Sequence, residues 1–264
     1  MPRPLTLTTD FGTQDAYVAA MKGVILERCP EARLVDVTHE IAPQDVMEAA
    51  FVLRQAAPFF PSETVHLVVV DPGVGTERRP VALRAGERFF VGPDNGLFSL
   101  VLGDDASPDA AVALDAPDRW RTPDPSTTFH GRDIFAPAAA HLAAGRPLDE
   151  LGSPVEALEP LRWALPITDD QGIQGWTVHV DHFGNCITNI PRALFEEHRD
   201  GRGFKCYAGG TILSERVSTY GATAEGEPLL LFGSSGFLEI AVNSGNAAKL
   251  LGIQQGEPVN VVFQ

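Results

Sequence analysis

The chain contains few cysteines, and their arrangement argues against a disulfide framework. Cys29, Cys186 and Cys206 are an odd number of thiols at wide spacing, and there is no Cys-x-x-Cys pair. This usage is typical of reduced thiols in the cytoplasm, where disulfides rarely persist. The missing Cys-x-x-Cys pair also argues against a structural zinc site.

Basic residues and long apolar runs are scarce as well. The chain has 20 Lys and Arg residues and 35 Asp and Glu residues, which gives a net charge of -15. Because phosphate binding needs basic surface, nucleic acid is not an expected partner, whereas a cationic substrate is compatible with the charge. No apolar run approaches the roughly 20 residues of a membrane helix, and the N-terminus carries no signal peptide. We expect a soluble cytoplasmic protein without a membrane partner.

The usual nucleotide-binding loops are also missing. The glycine-rich turn at Gly73 and Gly75 lacks the Gly-Lys-Ser/Thr ending of a phosphate loop, and no Gly-x-Gly-x-x-Gly occurs. ATP or NAD binding of the common kinds is therefore unsupported.

Strand and helix patterns alternate over residues 1–160, which predicts an α/β domain with a mostly parallel sheet. The predicted strands are Leu5–Thr9, Leu34–Val37, Val65–Val70 and Arg88–Val91. The predicted helices are Asp15–Arg28, Asp45–Ala57 and Arg132–Ala144.

Residues 161–172 are polar and close to several prolines, and they are interpreted as a linker. Residues 173–264 contain short strand patterns separated by glycine turns, which predicts a smaller all-β, barrel-like domain. Its predicted strands are Trp176–Val180, Lys205–Ala208, Leu229–Phe232, Phe237–Val242 and Val259–Phe263. Its predicted helices are Arg192–His198 and Ala247–Leu251.

Polar residues follow three predicted strands of the first domain, and an open α/β sheet binds ligands at such strand ends. These residues are Asp10, Asp71, Asp94 and Asn95. Each alone is explained as a turn residue. Their occurrence at three equivalent strand ends favours a site.

His130 precedes a predicted helix, and Arg78 follows Asp71 within one short loop. Backbone donors at a helix N-terminus favour a neutral imidazole, although a lone histidine is more often structural. The loop makes an Asp–Arg pair sterically easy. In the second domain, Asp181–Asn185 and the turns around Ser235 and Asn246 read equally well as ordinary β-turns or as contacts for a flat base and an amino acid end.

Seven motifs in order give the chain a resemblance to the S-adenosylmethionine hydrolase (adenosyl-hydroxide transferase) family, whose relatives include fluorinase and chlorinase enzymes. The similarity runs from about residue 5 to the C-terminus. The motifs are Thr9-Asp10-Phe11-Gly12, Asp71-Pro72-Gly73-Val74-Gly75, Gly92-Pro93-Asp94-Asn95-Gly96, Phe129-His130-Gly131-Arg132-Asp133, Phe183-Gly184-Asn185, Ser235-Gly236-Phe237 and Asn246-Ala247-Ala248.

The resemblance implies hydrolysis of S-adenosylmethionine to adenosine and methionine in a homotrimer, with each site between one subunit's first domain and its neighbour's second. It places an Asp-Arg-His set that handles water at Asp71, Arg78 and His130, and the carboxylate that holds the ribose diol at Asp10. The remaining residues implied to bind substrate are Phe11, Asp94, Asn95, Phe129, Gly131, Asp181, Phe183, Asn185, Ser235, Asn246 and Ala247. No cofactor or metal is expected for this chemistry.

Departures from the halogenases decide the expected nucleophile. The halogenases carry a tyrosine where this chain has Asp71, and a Tyr-Ser pair near the halide where it has His130-Gly131. Water is therefore expected to attack rather than halide. Three alternatives remain: a chlorinase-like halogenase, a non-catalytic sensor of S-adenosylmethionine or adenosine, and a metal-dependent hydrolase built from Asp71, His66, His130 and Asp133.

Overall fold

The computed structural model describes residues 1–103, 107–161 and 165–264. The chain divides into two compact units, residues 1–161 and 162–264. In the described ranges, no helix combines the length and apolar character needed to cross a membrane.

The first unit is built on a mixed sheet with the strand order β2-β1-β3-β5-β4-β6. The strands β2, β1, β3 and β5 run parallel, and β4 pairs antiparallel with both β5 and β6. The strands are β1 Leu5–Thr9, β2 Leu34–Thr38, β3 Val65–Val69, β4 Pro80–Ala85, β5 Arg88–Pro93 and β6 Ala110–Ala113. The predicted α/β class with a mostly parallel sheet is confirmed.

Helices cover both faces of this sheet. They are α1 Tyr17–Arg28, α2 Val46–Ala56, α3 Ser99–Leu102 and α4 Ala136–Ala143. Alternate residues of β3 supply the two cores: Leu67 and Val69 pack in the cluster that contains α1 and α4, and Val68 packs in the cluster that contains α2. Successive strand side chains point to opposite faces, so an apolar run is the pattern that a strand covered on both sides requires.

Two details of the first unit differ from the sequence prediction. The antiparallel strands β4 and β6 were missed, because a proline starts β4 and β6 spans only four residues, three of them alanine. The helix predicted from Arg132 begins as a π-helical turn over Gly131–Phe135, and regular α-helix starts only at Ala136. Such π-helical turns often occur at functional sites.

The second unit is an antiparallel, nearly closed barrel with the strand order β11-β10-β14-β8-β9-β13-β12, to which β7 adds beside β8. Its strands are β7 Ile167–Thr168, β8 Gly172–Val180, β9 Cys186–Pro191, β10 Phe204–Ala208, β11 Thr211–Leu213, β12 Pro228–Phe232, β13 Phe237–Val242 and β14 Pro258–Phe263. Its helices are α5 Arg192–Arg199 and α6 Ala247–Leu251. The predicted barrel-like all-β class is confirmed.

The fully buried ring of Phe195 organises the core of the barrel. It makes edge-to-face contacts with Phe204, Phe232 and Phe263 at centroid distances of 5.2, 5.4 and 5.7 Å. This is the geometry that aromatic quadrupoles favour, so α5 is fixed to three strands at once.

The segment 161–172, interpreted as a linker, contains regular structure where it is described. Ile167 and Thr168 form β7 and pair with Gln174 and Ile173 of β8, which itself begins at Gly172. Residues 162–164 of the interpreted linker lie outside the described residues.

Candidate active site

Three of the predicted site residues follow strands that are neighbours in the sheet. Asp10 directly follows β1, Asp71 lies two residues after β3 ends at Val69, and Asn95 lies two residues after β5 ends at Pro93. Since β1, β3 and β5 run parallel side by side, their carboxyl ends share one edge. This is the edge where open α/β sheets bind ligands.

Arg78 joins Asp71 to His130. Its Nε donates to Oδ1 of Asp71 at 2.8 Å, and its Nη2 donates to Oδ2 of the same carboxylate. The same Nη2 lies 2.9 Å from Nδ1 of His130. The Asp71 and Arg78 side chains are both almost fully buried, so this two-point ion pair is well shielded from water.

The loop between Asp71 and Arg78 packs closely on the segment that precedes His130. Gly75 in this loop has a φ of +77°, and a Cβ there would collide with the carbonyl oxygen of Thr127. Both the left-handed backbone and the close approach require glycine. Gly75 thus allows the arginine loop to reach the histidine.

The surroundings of His130 favour its neutral form. Burial lowers the pKa of His130 below its ordinary value, and the Arg78 guanidinium lowers it further. The carboxylates of Asp71 and Asp133 act in the opposite direction but do not reverse the shift. The imidazole is therefore uncharged at neutral pH, and the causes are burial and Arg78 rather than the helix N-terminus.

The guanidinium of Arg78 also has one unused donor. Its Nη1 is buried and has no hydrogen-bond partner among the described residues. Buried donors are normally satisfied, so an unpaired N–H on this guanidinium favours a small polar ligand at this position. A water molecule is such a ligand.

The turn that carries His130 is anchored by Asp133, whose only role predicted from the sequence is that of a ligand in the metal-hydrolase alternative. Its carboxylate is fully buried and accepts from Arg121 Nε at 2.6 Å, from Arg132 Nε and Nη2 at 2.8 and 2.7 Å, and from the Ser126 backbone at 3.0 Å. Burial alone raises the pKa of Asp133, but these hydrogen bonds outweigh it and hold the pKa well below its usual range. Asp133 is a permanent anion that fixes the loop.

Asp10 is held by a backbone donor from the loop after β2. Oδ2 of Asp10 accepts from the amide of Gln44 at 2.8 Å, and Gln44 has a left-handed φ of 68°. Burial raises the pKa of the Asp10 carboxyl above its ordinary value, and the nearby Asp71 charge also contributes to the rise. A carboxylate has about four lone-pair sites, so Asp10 keeps acceptor capacity for a ligand hydroxyl.

Three aromatic rings form a cluster beside His130. The centroid distances are 5.8 Å from Phe11 to Phe129, 5.2 Å from Tyr17 to Phe129 and 5.7 Å from Phe11 to Tyr17. Phe11 and Phe129 are among the residues that the resemblance implies to bind substrate. Tyr17 was missed because it opens a helix, where an aromatic residue indicates core packing, yet half of it is exposed.

Gly131 lies directly against this cluster. A Cβ at Gly131 would approach Met21 Sδ and Phe129 Cε2 at 3.2 Å and Phe11 Cε2 at 3.5 Å. These approaches are tighter than normal van der Waals contact for the first two atoms. Any larger residue at this position must therefore displace the aromatic wall.

Asp94 and Asn95 make contacts within the protein. Oδ2 of Asp94 binds Arg79 at 2.6 Å, and Oδ1 accepts from the Glu159 backbone at 2.8 Å. Asn95 donates to the Val70 carbonyl at 3.0 Å. These bonds support positioning roles, and direct substrate contact by either residue stays a prediction.

In the second unit, Asp181 organises the turn that was predicted to bind adenine. Its Oδ1 accepts from the backbones of Phe183 and Asn185 at 2.9 Å, and its Oδ2 accepts from Asn185 Nδ2 at 2.9 Å. The turn buries Asn185 and leaves Phe183 73% exposed. An exposed aromatic ring on a rigid turn is suited to stacking on a flat ligand.

Asn246 and Ala247 lie beside that turn. Asn246 caps α6 by accepting from the Lys249 backbone at 2.8 Å, and a Cβ on Gly184 would collide with the Asn246 side chain. The amide of Ala248 donates to the Gly184 carbonyl at 2.9 Å, while Ala247 is fully buried. Ser235 lies in the tight turn between β12 and β13. The structure places Asn246 and Ala247 next to the Asp181 turn.

The residues of the metal-hydrolase alternative are not gathered as ligands. His66 is buried with Nδ1 bonded to Thr6 Oγ1 at 2.8 Å, and Asp133 is occupied by two guanidiniums. Among the residues that the structure describes, no three His, Cys, Asp or Glu side chains form a group that could hold a metal ion.

Comparison with known proteins identifies the family. The sequence model of the SAM hydroxide adenosyltransferase N-terminal domain matches residues 5–152, and that of the C-terminal domain of the same family matches residues 175–260. The chain belongs to the SAM hydroxide adenosyltransferase family, which confirms the resemblance inferred from the seven motifs.

Individual relatives agree with this assignment. The chain is 43% identical to an (R)-S-adenosyl-L-methionine hydrolase from Thermus thermophilus, over 98% of this chain and 100% of the relative. It is 31% identical to a fluorinase from an Actinoplanes species, over 97% and 96% of the two chains. A crystal structure of a conserved protein from Thermotoga maritima superposes with a TM-score of 0.88 at 36% identity, covering 98% and 99%.

Proposed function

We propose that this protein hydrolyses S-adenosylmethionine, with water attacking the ribose C5′ and adenosine and methionine leaving as products. The observation that carries the proposal is the linked Asp71–Arg78–His130 set, in which a buried carboxylate, a guanidinium and a neutral imidazole adjoin one another. These groups can hold a water molecule by several hydrogen bonds at once. The hydrolase names of the relatives support the same reaction.

The chemistry explains why such a set is sufficient. The sulfonium departs as a neutral thioether, so the leaving group needs no general acid, and the proposal requires no cofactor. The main requirement is a water held opposite the C5′–S bond at attack distance. Because positive charge disperses in the transition state, a dry site aids the step. Phe11, Phe129 and Tyr17 supply an apolar wall of this kind.

We assign substrate recognition to residues of both units. Asp10 keeps acceptor capacity for the ribose diol beside its bond from Gln44, and Phe183 presents an exposed ring for adenine. Asn185, Ser235 and Asn246 are proposed to contact the adenine and the methionine end. This assignment rests on the family resemblance, which implies that the two sets of residues meet across a homotrimer interface.

The assembly can be tested by complementation between two inactive variants. Asp71→Asn and Phe183→Ala each damage a different half of the proposed site. If each site combines two subunits, mixed trimers restore up to about a quarter of the sites. Restored adenosine formation after unfolding and refolding the mixture supports the shared site. No activity above that of the separate variants contradicts it.

The substrate epimer is proposed from the relatives, which are named as hydrolases of (R)-S-adenosyl-L-methionine. We expect this chain to prefer the R configuration at sulfur. Separated epimers incubated with the protein and analysed by chromatography test this preference. Equal rates of adenosine formation from both epimers would contradict it.

A cytoplasmic location is part of the proposal. Cys29, Cys186 and Cys206 are all free and buried, which supports a reducing compartment.

The reaction itself is tested with purified protein and S-adenosylmethionine, followed by quantification of adenosine and methionine. Asp71→Asn should lower kcat by about a hundredfold or more, because positioned proton acceptors contribute about 10²–10⁴. Asp109→Asn, which alters an exposed carboxylate bonded to Gly86, is the matched control and should leave kcat unchanged. Full activity of Asp71→Asn would contradict the proposal, and tight binding without products would favour the sensor.

A further inference from the structure

The contact between Arg78 and His130 fixes the direction of one hydrogen bond. A guanidinium has five N–H donors and no acceptor, and it does not lose its proton in proteins. Arg78 Nη2 lies 2.9 Å from Nδ1 of His130, so Nδ1 must be the acceptor. The lone pair of Nδ1 is therefore engaged and carries no proton.

The tautomer of His130 follows from this bond. A neutral imidazole has one protonated nitrogen, so the proton must be on Nε2. The lowered pKa of His130, caused by burial and by the Arg78 charge, is consistent with the neutral form. A second proton on Nδ1 would point at a cation and break the contact with Arg78.

Resting on the proposed function, we infer that His130 acts as a hydrogen-bond donor to the attacking water through Nε2–H, and that the Asp71 carboxylate takes the proton of that water. Nδ1, the nitrogen with a lone pair, is occupied by Arg78, and Nε2, which carries the proton, has no free lone pair. His130 therefore orients the water by donating a hydrogen bond to it, and it takes none of the protons of that water.

Asp71 retains the capacity to accept this proton. A carboxylate offers about four lone-pair sites, and Arg78 uses two of them, one on each oxygen. In the step, the water oxygen forms a bond to C5′ while the C5′–S bond breaks and its electron pair goes to sulfur. One water hydrogen stays on the new hydroxyl group, and the other goes to Asp71. The positive sulfonium and the negative carboxylate thus both become neutral.

The tautomer can be measured without turnover. In protein labelled with ¹⁵N-histidine, the His130 resonances are identified by their absence from the His130→Gln variant. The inference predicts a pyridine-type Nδ1 and a pyrrole-type Nε2 at neutral pH. The reverse pattern, or two pyrrole-type nitrogens, would overturn it. This readout is independent of whether S-adenosylmethionine is the substrate.

Three substitutions at His130 test the donor role. Glutamine can place an amide N–H near the position of Nε2, whereas asparagine replaces the atom near Nδ1 and alanine replaces neither. We expect His130→Gln to keep kcat within about tenfold of the wild type, while His130→Asn and His130→Ala lose about a hundredfold or more. Because glutamine cannot accept the proton at neutral pH, equally low kcat in all three variants would favour a base and overturn the inference.

The role of Asp71 is tested by chemical rescue. Asp71→Ala removes the carboxylate, and added formate supplies a small one in the space that is left. Adenosine formation by this variant should rise with formate concentration, to at least about tenfold above its rate in sodium chloride of equal ionic strength. No response to formate in the variant, with an active wild type, would overturn Asp71 as the acceptor. An inactive wild type would instead contradict the proposed function.

Discussion

Asn95 holds the strand end from which Asp71 projects. Its Nδ2 donates to the carbonyl of Val70 at 3.0 Å, and its Oδ1 accepts from the Leu97 backbone at 3.3 Å. Val70 is the residue immediately before Asp71 in the chain. The turn after β5 is thus tied to the loop after β3, so an amide that need not touch substrate sets the position of the carboxylate.

Asn95→Ala should lower kcat clearly and lower the free energy of unfolding only modestly. The variant loses two hydrogen bonds at the strand end, whose net contribution to the free energy of unfolding is about 1 kcal/mol each. We expect kcat to fall about tenfold because a small displacement of Asp71 misaligns the water. Steady-state kinetics and urea unfolding measure the two effects.

Asp109→Ala is the matched control for Asn95. It removes a side chain that accepts from the Gly86 amide at 2.7 Å. Gly86 lies in the turn between β4 and β5, at the edge of the sheet opposite to the site. It should lower stability modestly and leave kcat unchanged. If both variants lost kcat in the same proportion, the positioning role of Asn95 would be wrong.

Gly131→Ala should raise KM by several fold, because the added Cβ must displace Phe129 or Met21. Gly23→Ala is a matched control with the same added methyl group, since Gly23 lies in α1 with nothing within 4 Å of the added Cβ. The control should be more stable than the wild type by about 1 kcal/mol, from helix propensity alone, with unchanged kinetics. Unaltered KM in Gly131→Ala would show that the aromatic wall does not shape the site.

Acid should weaken substrate binding through Asp10. Burial raises the pKa of this carboxyl above its ordinary value, so its charged form is lost at a higher pH than for a typical aspartate. KM should therefore rise as the pH falls through that raised pKa. Asp10→Asn should give a high KM that no longer depends on this titration.

The ribose contact of Asp10 also has a direct chemical test. A 2′-deoxy analogue of the substrate lacks one of the hydroxyls that Asp10 is proposed to accept from. The wild type should bind this analogue more weakly than it binds the parent substrate. Asp10→Ala should bind the analogue and the parent with about the same affinity. A 2′-deoxy analogue that bound the wild type as well as the parent would contradict this role.

His66 should make stability depend on pH. It is fully buried, and burial, with a smaller contribution from Arg88, lowers its pKa from 6.5 to about 4. Between these values the unfolded chain binds a proton that the folded protein does not. Stability is therefore complete above the unfolded pKa and decreases as the pH falls toward about 4.

Urea unfolding at about pH 7 and about pH 5 measures this effect, which should amount to about 2 kcal/mol from His66 alone. In His66→Asn the loss of unfolding free energy between these two pH values should be smaller by that amount, because the other groups that titrate are unchanged. Equal pH dependence in the two proteins would mean that His66 is charged in the fold or contacts water.

The parts of the fold that the sequence predicted well are those with a strong local pattern. The run Val65–Val70, apolar except for His66, matches β3 because a strand covered on both faces buries the side chains of both faces. The strands β4 and β9 were missed because their patterns are irregular and their pairing is set by distant partners. Local periodicity does not record such long-range pairing.

The same distinction applies to the site. The resemblance predicts Asp71, Arg78 and His130 as one set, and in the structure Arg78 contacts both of the others. Neither the use of Asp94 by Arg79 nor the anchoring of the His130 turn by Asp133 could be read from the sequence. Both depend on which charged side chains meet across loops, and this follows only from the folded backbone.

The most direct test of the account uses oxygen-18 water. Purified protein is incubated with S-adenosylmethionine in labelled water, with and without chloride, and the nucleoside product is analysed by mass spectrometry. We expect adenosine that carries the heavy oxygen at the 5′ position, in an amount unaffected by chloride. Unlabelled adenosine, or a chlorinated nucleoside when chloride is present, would contradict attack by water at the ribose carbon.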